Sequence, residues 1–364
     1  MDKSSYTFQA LSEKYEDFRG PAFTIKLDGK TLDSTEMPIV QLDIKLSENM
    51  IGSASFSVES LYDYEKSQWI NKLEQTIQVG AKLEISGGYG KQEPLFYGFV
   101  FEYNLEYSRD QPPRLAVRGM DGLAFLSNCH EPIYHGNKKP KVVIQEIFNK
   151  VISAGYAKSS TVDNLDNLVT PLVKELTSDY GYLLKLGKMY NLSLMDIQGE
   201  LIFSDLIGNT SPIITLTLGA GLLSFHKRIS LQHQLGKIEV RGKDINQKRI
   251  VGTASQVTVG DTSKKWAAQL APAFKNVVGR EYNECVRTEE ECTRLAQCRL
   301  NARAMSLVQV VGRCVGLPEL IHGRYISIKG VDAQTEGSYY ISSVNHLFSR
   351  EGYYTEFYAR GART

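Results

Sequence analysis

With 364 residues the chain exceeds the ~100–200 of a single domain, so two or more packed units are expected and a disulfide-stapled mini-fold is excluded. Apolar residues make up 42% and charged residues 23%, ordinary globular usage, and no run of roughly 18 uncharged apolar residues offers a membrane span. Forty-two Lys plus Arg against 41 Asp plus Glu leave a net charge of +1, too little to attract nucleic acid or anionic membrane as a whole molecule.

Met1-Asp2-Lys3-Ser4-Ser5-Tyr6 has no basic-then-apolar leader pattern, which implies synthesis in a bacterial cytoplasm. From Phe23 to about Leu126 the apolar spacing is mostly two. Phe23-Ile25-Leu27 runs into an Asp28-Gly29 turn, Ile39 to Leu46 and Ala54-Phe56-Val58 follow, and Val79-Ala81-Leu83-Ile85 alternates, which predicts an antiparallel meander. After Gly87-Gly88-Tyr89-Gly90, the residues Leu95-Tyr97-Phe99-Phe101-Tyr103-Leu105-Tyr107 mark one face of a single long strand. At about 3.3 Å per residue it spans roughly 40 Å, so it must bend or serve two sheets. With Leu115-Val117-Gly119 the unit has about six or seven strands, enough for a small barrel or sandwich.

The period then changes. Pro140 opens a helix carrying Val143/Ile144, Ile147/Phe148 and Val151/Ile152, and Gly155 ends it. A second helix runs from Ser178 or Asp179 to Tyr190 with Leu183, Leu186 and Tyr190 on one side, and Leu192 to Phe203 reads as a hairpin about Gln198-Gly199. Strand patterning resumes at Ile213 to Leu218 and Lys237 to Gly242. Thr288 and Glu291 form a capping box for a third helix, whose seam is Leu295, Cys298, Ala302 and Met305. Val308 to Val315, Tyr325 to Ile328, Tyr339 to Val344 and Tyr353 to Tyr358 make a second β unit. The stretch 252–279 around Trp266 receives no assignment.

Chemistry-bearing motifs are sparse. Ser86 to Lys91 is the nearest approach to a phosphate loop, but it joins two strands and opens no helix, so it reads as a hairpin turn. The five cysteines, Cys129, Cys285, Cys292, Cys298 and Cys314, form no C-x-x-C pair and read as reduced, small apolar residues. Cys292 and Cys298 are about 120° apart on a helix and do not share an ion. Cys129-His130 with His135 lacks a fourth ligand in a turn-rich connection. His322 and His346 have no nucleophile in view and read as structural. Glu289-Glu290-Glu291 suits a helix N-terminus, and Lys138-Lys139-Pro140-Lys141 is a basic loop open to an acidic subunit or nucleic acid. No catalytic, cofactor-binding or metal-binding residues are assigned, and no cofactor is expected.

Three segments carry a family resemblance. The first holds Phe96-Tyr97-Gly98-Phe99-Val100 and Val117-Arg118-Gly119-Met120-Asp121-Gly122-Leu123. The second runs from Thr177-Ser178-Asp179 through Leu183-Leu184-Lys185-Leu186 to Gly199-Glu200-Leu201-Ile202-Phe203. The third joins Leu317-Pro318-Glu319-Leu320-Ile321-His322-Gly323 to Gly337-Ser338-Tyr339-Tyr340-Ile341-Ser342-Ser343-Val344-Asn345-His346 and Tyr353-Tyr354-Thr355. In this order they resemble the late-control gene D and VgrG family, whose members form the hub of phage baseplates and of type VI secretion and related contractile injection machines.

The resemblance implies a mainly β protein with an α+β insertion: two tube-type antiparallel β-barrels plus a small helical and hairpin domain. The expected divisions are an N-terminal arm (1–19), a first β-barrel domain (20–128), an α+β insertion domain (129–208) and a second β-barrel domain (209–364) with helix 288–306. It implies a non-enzymatic homotrimeric symmetry adaptor joining a hexameric tail tube to a trimeric spike, in a phage or a phage-tail-like particle such as a bacteriocin. VgrG proteins continue into an OB-fold and a β-helical spike, so the end at Thr364 implies a spike on a separate chain. Tape measure and baseplate wedge proteins are further expected partners, nucleic acid enters only as cargo, and the destination is the virion or an extracellular particle. A baseplate-associated cell-wall hydrolase and a glycan-binding β-domain are the alternatives. The tyrosines of the Leu95–Tyr107 and Tyr339–Tyr358 strands either line barrel cores or form contact faces.

Overall fold

Alternating apolar residues place two strand-rich units on one continuous hydrogen-bonded sheet. The computed structural model describes residues 5–32, 39–59, 61–70, 73–134, 138–163, 165, 173–174, 176–205, 211–284 and 286–364. The arm contains helix α1 (Phe8–Lys14), started by Thr7, whose side chain accepts the Ala10 N–H. Besides two-residue strands at Lys30–Thr31, Tyr62–Asp63 and Gln68–Trp69, six longer strands follow: β1 (Ala22–Leu27), β2 (Ile39–Ser47), β3 (Ser53–Glu59), β4 (Lys82–Gly88), β5 (Gln92–Glu106) and β6 (Arg114–Met120). They pair antiparallel in the order β1-β4-β5-β6-β3-β2, and among the described residues no ladder joins β1 to β2.

Strand β5 does serve two neighbours. Gln92 to Phe99 pair with β4, and Phe99 to Glu106 pair with β6. A bulge between Val100 and Glu102 makes the bend and reverses the side-chain parity, which the sequence reading of one unbroken face did not include. Leu95, Tyr97 and Phe99 are buried, whereas Phe101, Leu105 and Tyr107 are exposed.

The insertion contains α2 (Gly122–Ser127), α3 (Pro140–Ala154), α4 (Asp179–Tyr190), β7 (Ser193–Ile197) and β8 (Glu200–Ser204). Helix α3 has the predicted Pro start and ends at left-handed Gly155, φ +79°. Its Val143, Ile144, Ile147, Phe148 and Val151 are buried in a separate hydrophobic cluster with Leu183, Leu186 and Phe203. A fully buried side chain of this size contributes about 1.5–3 kcal/mol, so this face rather than helix propensity holds α3. The predicted hairpin is β7–β8, turning through Gln198 and Gly199, both at positive φ. The side chain of Tyr190, expected on the buried side of α4, lies outside the described residues.

Strands β9 (Pro212–Leu218) and β10 (Gly221–Ile229) begin the last unit. It continues with β11 (Lys237–Lys243), β12 (Arg249–Ala254), β13 (Val278–Tyr282), α5 (Glu289–Ala304), β14 (Val308–Val315), β15 (Tyr325–Lys329), β16 (Gly337–Ser349) and β17 (Gly352–Gly361). Strands β16-β15-β9-β10-β14-β17 close back on β16 as a six-stranded barrel. The Lys237–Gly242 run is not a stave of it. Strands β12-β11-β13 form their own sheet under α5, which takes up the two ends of the unassigned 252–279 stretch, while the connection between them carries buried Trp266 and a short helix, Ala267–Leu270. Gly252 permits this contact, since a Cβ there would sit 2.1 Å from the Thr293 backbone N of α5. The capping box of Thr288 and Glu291 is present, but α5 buries Cys292, Leu295, Ala296, Leu300 and Ala304, leaving Cys298 and Ala302 half-buried.

The two β units meet in β16. Its first half pairs with β15, its second half, Ser343 to Phe348, pairs with β2, and β17 lies along both. One hydrophobic cluster runs through both units.

Candidate assembly surface

Through β16 an eight-stranded sheet crosses the molecule: the second half of β5, then β6, β3, β2, the second half of β16, β17, β14 and β10, each antiparallel to the next. At about 4.8 Å per strand it is roughly 35–40 Å wide. Its inner side is core, with Val117, Phe56, Ile44, Val344, Phe357 and Val310 all buried. The pleat then forces the alternate residues outward. They are almost all polar: one row reads Ser53, Lys45, Asn345, Glu356, Arg313 and Ser224 across consecutive strands. Val311 and Tyr358 are the exposed apolar exceptions, 41% and 49% accessible. Arg118 and Glu102 approach to 3.5 Å, yet both are about half exposed, so such pairs add little stability and leave a wall of mixed, hydrated charge.

The third sequence segment converges on a buried polar knot behind this wall. His346 Nδ1 lies 2.9 Å from the Tyr353 hydroxyl and 3.2 Å from Thr355 Oγ1, which also accepts the Leu317 N–H at 2.9 Å. Burial, reinforced by neighbouring His322, pushes His346 down to about 3, and burial alone holds His322 at about 4. Both rings are therefore neutral, which suits His346 Nδ1 to accept from Tyr353. Tyr353→Phe is expected to lower unfolding stability by about 1–3 kcal/mol in urea titrations, the cost of a buried group losing its partner. The same change at half-buried Tyr354, whose hydroxyl donates to Glu351 O, should cost far less.

The arm is fastened beside this knot. Lys14 Nζ is 2.8 Å from Glu319 and 2.7 Å from Glu93, and the Tyr15 hydroxyl donates to Glu319 at 2.7 Å. Burial opposes the Lys14 charge, but the carboxylate hydrogen bonds outweigh it and hold its pKa above the ordinary lysine value. The Ser86–Lys91 segment is the expected hairpin turn, and its Tyr89 ring packs against Tyr15, Phe18 and Tyr353.

Sequence reading missed one cluster because its members are 75 residues apart. Asp121 and Asp196 are buried side by side where the insertion meets the first sheet. Asp121 accepts the N–H groups of Gly52 (2.5 Å) and Leu123 (3.0 Å), and Asp196 accepts those of Gly122 (3.1 Å) and Gly199 (2.8 Å). Burial raises both, to about 7 for Asp196 and well above the usual carboxylate range for Asp121, which also feels the charge of Asp196. Their oxygens face backbone amides rather than a cleft, which is a clamp and not the geometry of an acid–base pair acting on a bound sugar.

The remaining candidates are dispersed. Cys129 lies beside the fully buried Lys174–Asp179 ion pair, which Lys150 joins at 2.8 Å, while His135 and Cys285 are outside the described residues. Among the described residues no three His, Cys, Asp or Glu side chains gather as a metal site. Lys138 pairs with Glu146 at 2.8 Å. Of the tyrosines in question, Tyr97, Tyr339, Tyr340 and Tyr353 are core, and Tyr107 and Tyr358 are exposed.

This arrangement is shared with proteins of known structure. The 43 kDa tail protein of prophage MuSo2 from Shewanella oneidensis is 15% identical, with a TM-score of 0.68 over 93% of this chain and 98% of its own. A tail protein from Neisseria meningitidis MC58 is 11% identical, with a TM-score of 0.68 over 94% of this chain and 96% of its own. An E. coli component of the type VI secretion system, described as structurally similar to the T4 bacteriophage tail proteins gp27 and gp5, is 10% identical with a TM-score of 0.54, covering 93% and 79%. The fold is thus one used by phage tail proteins and by a type VI secretion component, and the sequence resemblance holds at that level. A family model described as the Alg8 N-terminal domain matches residues 19–350, and the chain belongs to that family. No curated protein matches by sequence.

Proposed function

We propose that this chain is a structural baseplate hub of a contractile tail or phage-tail-like particle. Three copies form a ring that joins a hexameric tail tube to a trimeric spike carried on a separate chain. The observation that carries the reading is the eight-stranded polar face. Three copies supply twenty-four strands, which at about 4.8 Å each make a circumference of roughly 115 Å and a bore of roughly 37 Å between backbones. A hydrated wall of mixed charge binds nothing strongly, which suits a channel through which tape measure protein or nucleic acid passes as cargo. The likeness to tail proteins supports a role within a virion or extracellular particle, where wedge proteins would surround the ring, and affiliation with the gene D and VgrG hubs is part of the same proposal. The divisions 1–19, 20–128, 129–208 and 209–364 are part of the same proposal, although Leu123 and Leu126 of α2 pack into the insertion's own cluster. The buried carboxylates argue against the hydrolase alternative.

The test is the native mass of the purified chain, alone and mixed with the neighbouring spike candidate. A threefold species that captures three spike chains is the expected result. A single chain that ignores both spike and tube subunits would overturn the reading.

A further inference from the structure

We propose that the ring closes through its own sheet edges: the acidic second half of β5 in one copy adds, antiparallel, to the basic free half of β10 in the next. This rests on the three-copy reading above and names its joint. Within the polar sheet, the two terminal strands each have an open side among the described residues. Strand β10 meets β9 only at Gly221 and Leu222, so from Ser224 to Ile229 its side away from β14 has no backbone partner. Strand β5 keeps backbone partners on the β4 side through Val100, which bonds to Ala81 O and Gly80 N–H, and among the described residues from Glu102 to Glu106 its side away from β6 is open too. Such edges are a liability in a lone chain and a template in an assembly.

Three features fit these edges to each other. The first is parity: direction alternates across eight strands, so β5 and β10 run opposite ways, and a head-to-tail joint is antiparallel like every ladder it extends. The second is charge. Glu102 and Glu106, facing Arg118 and Arg114 at 3.5 and 4.0 Å, point outward from one edge and Arg228 with the polar His226 from the other, so two β5 edges paired with each other would bring carboxylates together. The third is apolar cover. On the core side Leu105 is 39% accessible at one edge and Ile229 is 51% accessible at the other.

The registers also demand a slanted joint. Following the ladder straight from Glu102 through Ser55, Leu347 and Val315 arrives beside Leu222, where β9 already pairs, whereas the free length lies several residues further along β10. A closed barrel requires a stagger of this kind. The contact is heterologous, and such contacts close into rings when their rotation permits.

Native mass spectrometry of the full chain tests the joint. Glu102→Lys with Glu106→Lys, and separately His226→Glu with Arg228→Glu, should each convert the threefold species to single chains while circular dichroism is unchanged. All four substitutions together exchange the signs of both edges and should restore the threefold species. Should a reversal variant fail to fold, the milder Glu102→Gln with Glu106→Gln carries the same reading, with at least a tenfold weaker association expected. Folded double variants that stay threefold, or a folded quadruple variant that stays single, overturn the joint and leave the hub reading intact. An unsubstituted chain that is single at every concentration overturns the hub reading and the joint with it.

Discussion

Gly98→Ala is expected to yield no soluble folded protein. Strand β5 passes so close to the end of β6 that a Cβ on Gly98 would lie 2.1 Å from Met120 O, 2.8 Å from Met120 C and 3.0 Å from Asp121 Cα. All three atoms belong to backbone or its Cα, so no rotamer change relieves the clash, and separating the strands would break the ladder from Phe99 to Glu106. The cost should exceed the ~1–3 kcal/mol of ordinary overpacking and consume a large part of a stability of about 5–15 kcal/mol. Gly90→Ala, in the hairpin turn where the nearest atom to an added Cβ is a glutamate oxygen at 4.0 Å, is the matched control and should leave yield and denaturation midpoint nearly unchanged.

Asp196→Asn should change the pH dependence of stability more than its value at any one pH. The folded state raises Asp196 from the ordinary 3.8 to about 7, so it binds a proton the unfolded chain has released. Its contribution is complete below about pH 4 and is lost as pH rises through about 7. An asparagine has one acceptor oxygen for the two amides of Gly122 and Gly199, so the variant starts less stable at pH 4.5. The deficit should then shrink as pH rises towards about 7, by an amount on the order of a few kcal/mol. Buried His322 and His346 act with the opposite sign. Their folded values lie below the ordinary 6.5, so their contribution is present above that pH and lost as pH falls towards 4 and 3. Comparing variant and parent melts from pH 4.5 to 8 cancels the histidines, and a difference independent of pH would show that the Asp121–Asp196 pair holds no extra proton.

Much of the fold was legible where short-range rules decide. Pro140 and Gly155 bracketed α3 to the residue, Thr288 with Glu291 marked the start of α5, and Gln198-Gly199 set the β7–β8 turn, because caps and positive-φ turns are written within four residues. The misreadings share a different cause. Strand β10 lacks a clean period of two because a bulge between Leu222 and Ser224 breaks its alternation, as the bulge after Val100 breaks the expected face of β5. Strands β12 and β13 carry little local signal, because the apolar residues of β12 pack against a helix 40 residues later in the chain and those of β13 are only weakly buried. The assembly surface itself has no motif. Polar residues at every second position look like any solvated strand face, and only the pairing order reveals that eight such faces are contiguous.

The strand that belongs to both sheets has a mechanical meaning. A swivel between two bodies needs a stretch of backbone released from hydrogen bonding, and the connection from β2 to β16 has none along the six residue pairs from Ser343–Ser47 to Phe348–Leu42. Thrust delivered to one side of the molecule would cross to the other as shear shared among those pairs. A component that must pass on force without buckling would be built on such a seam.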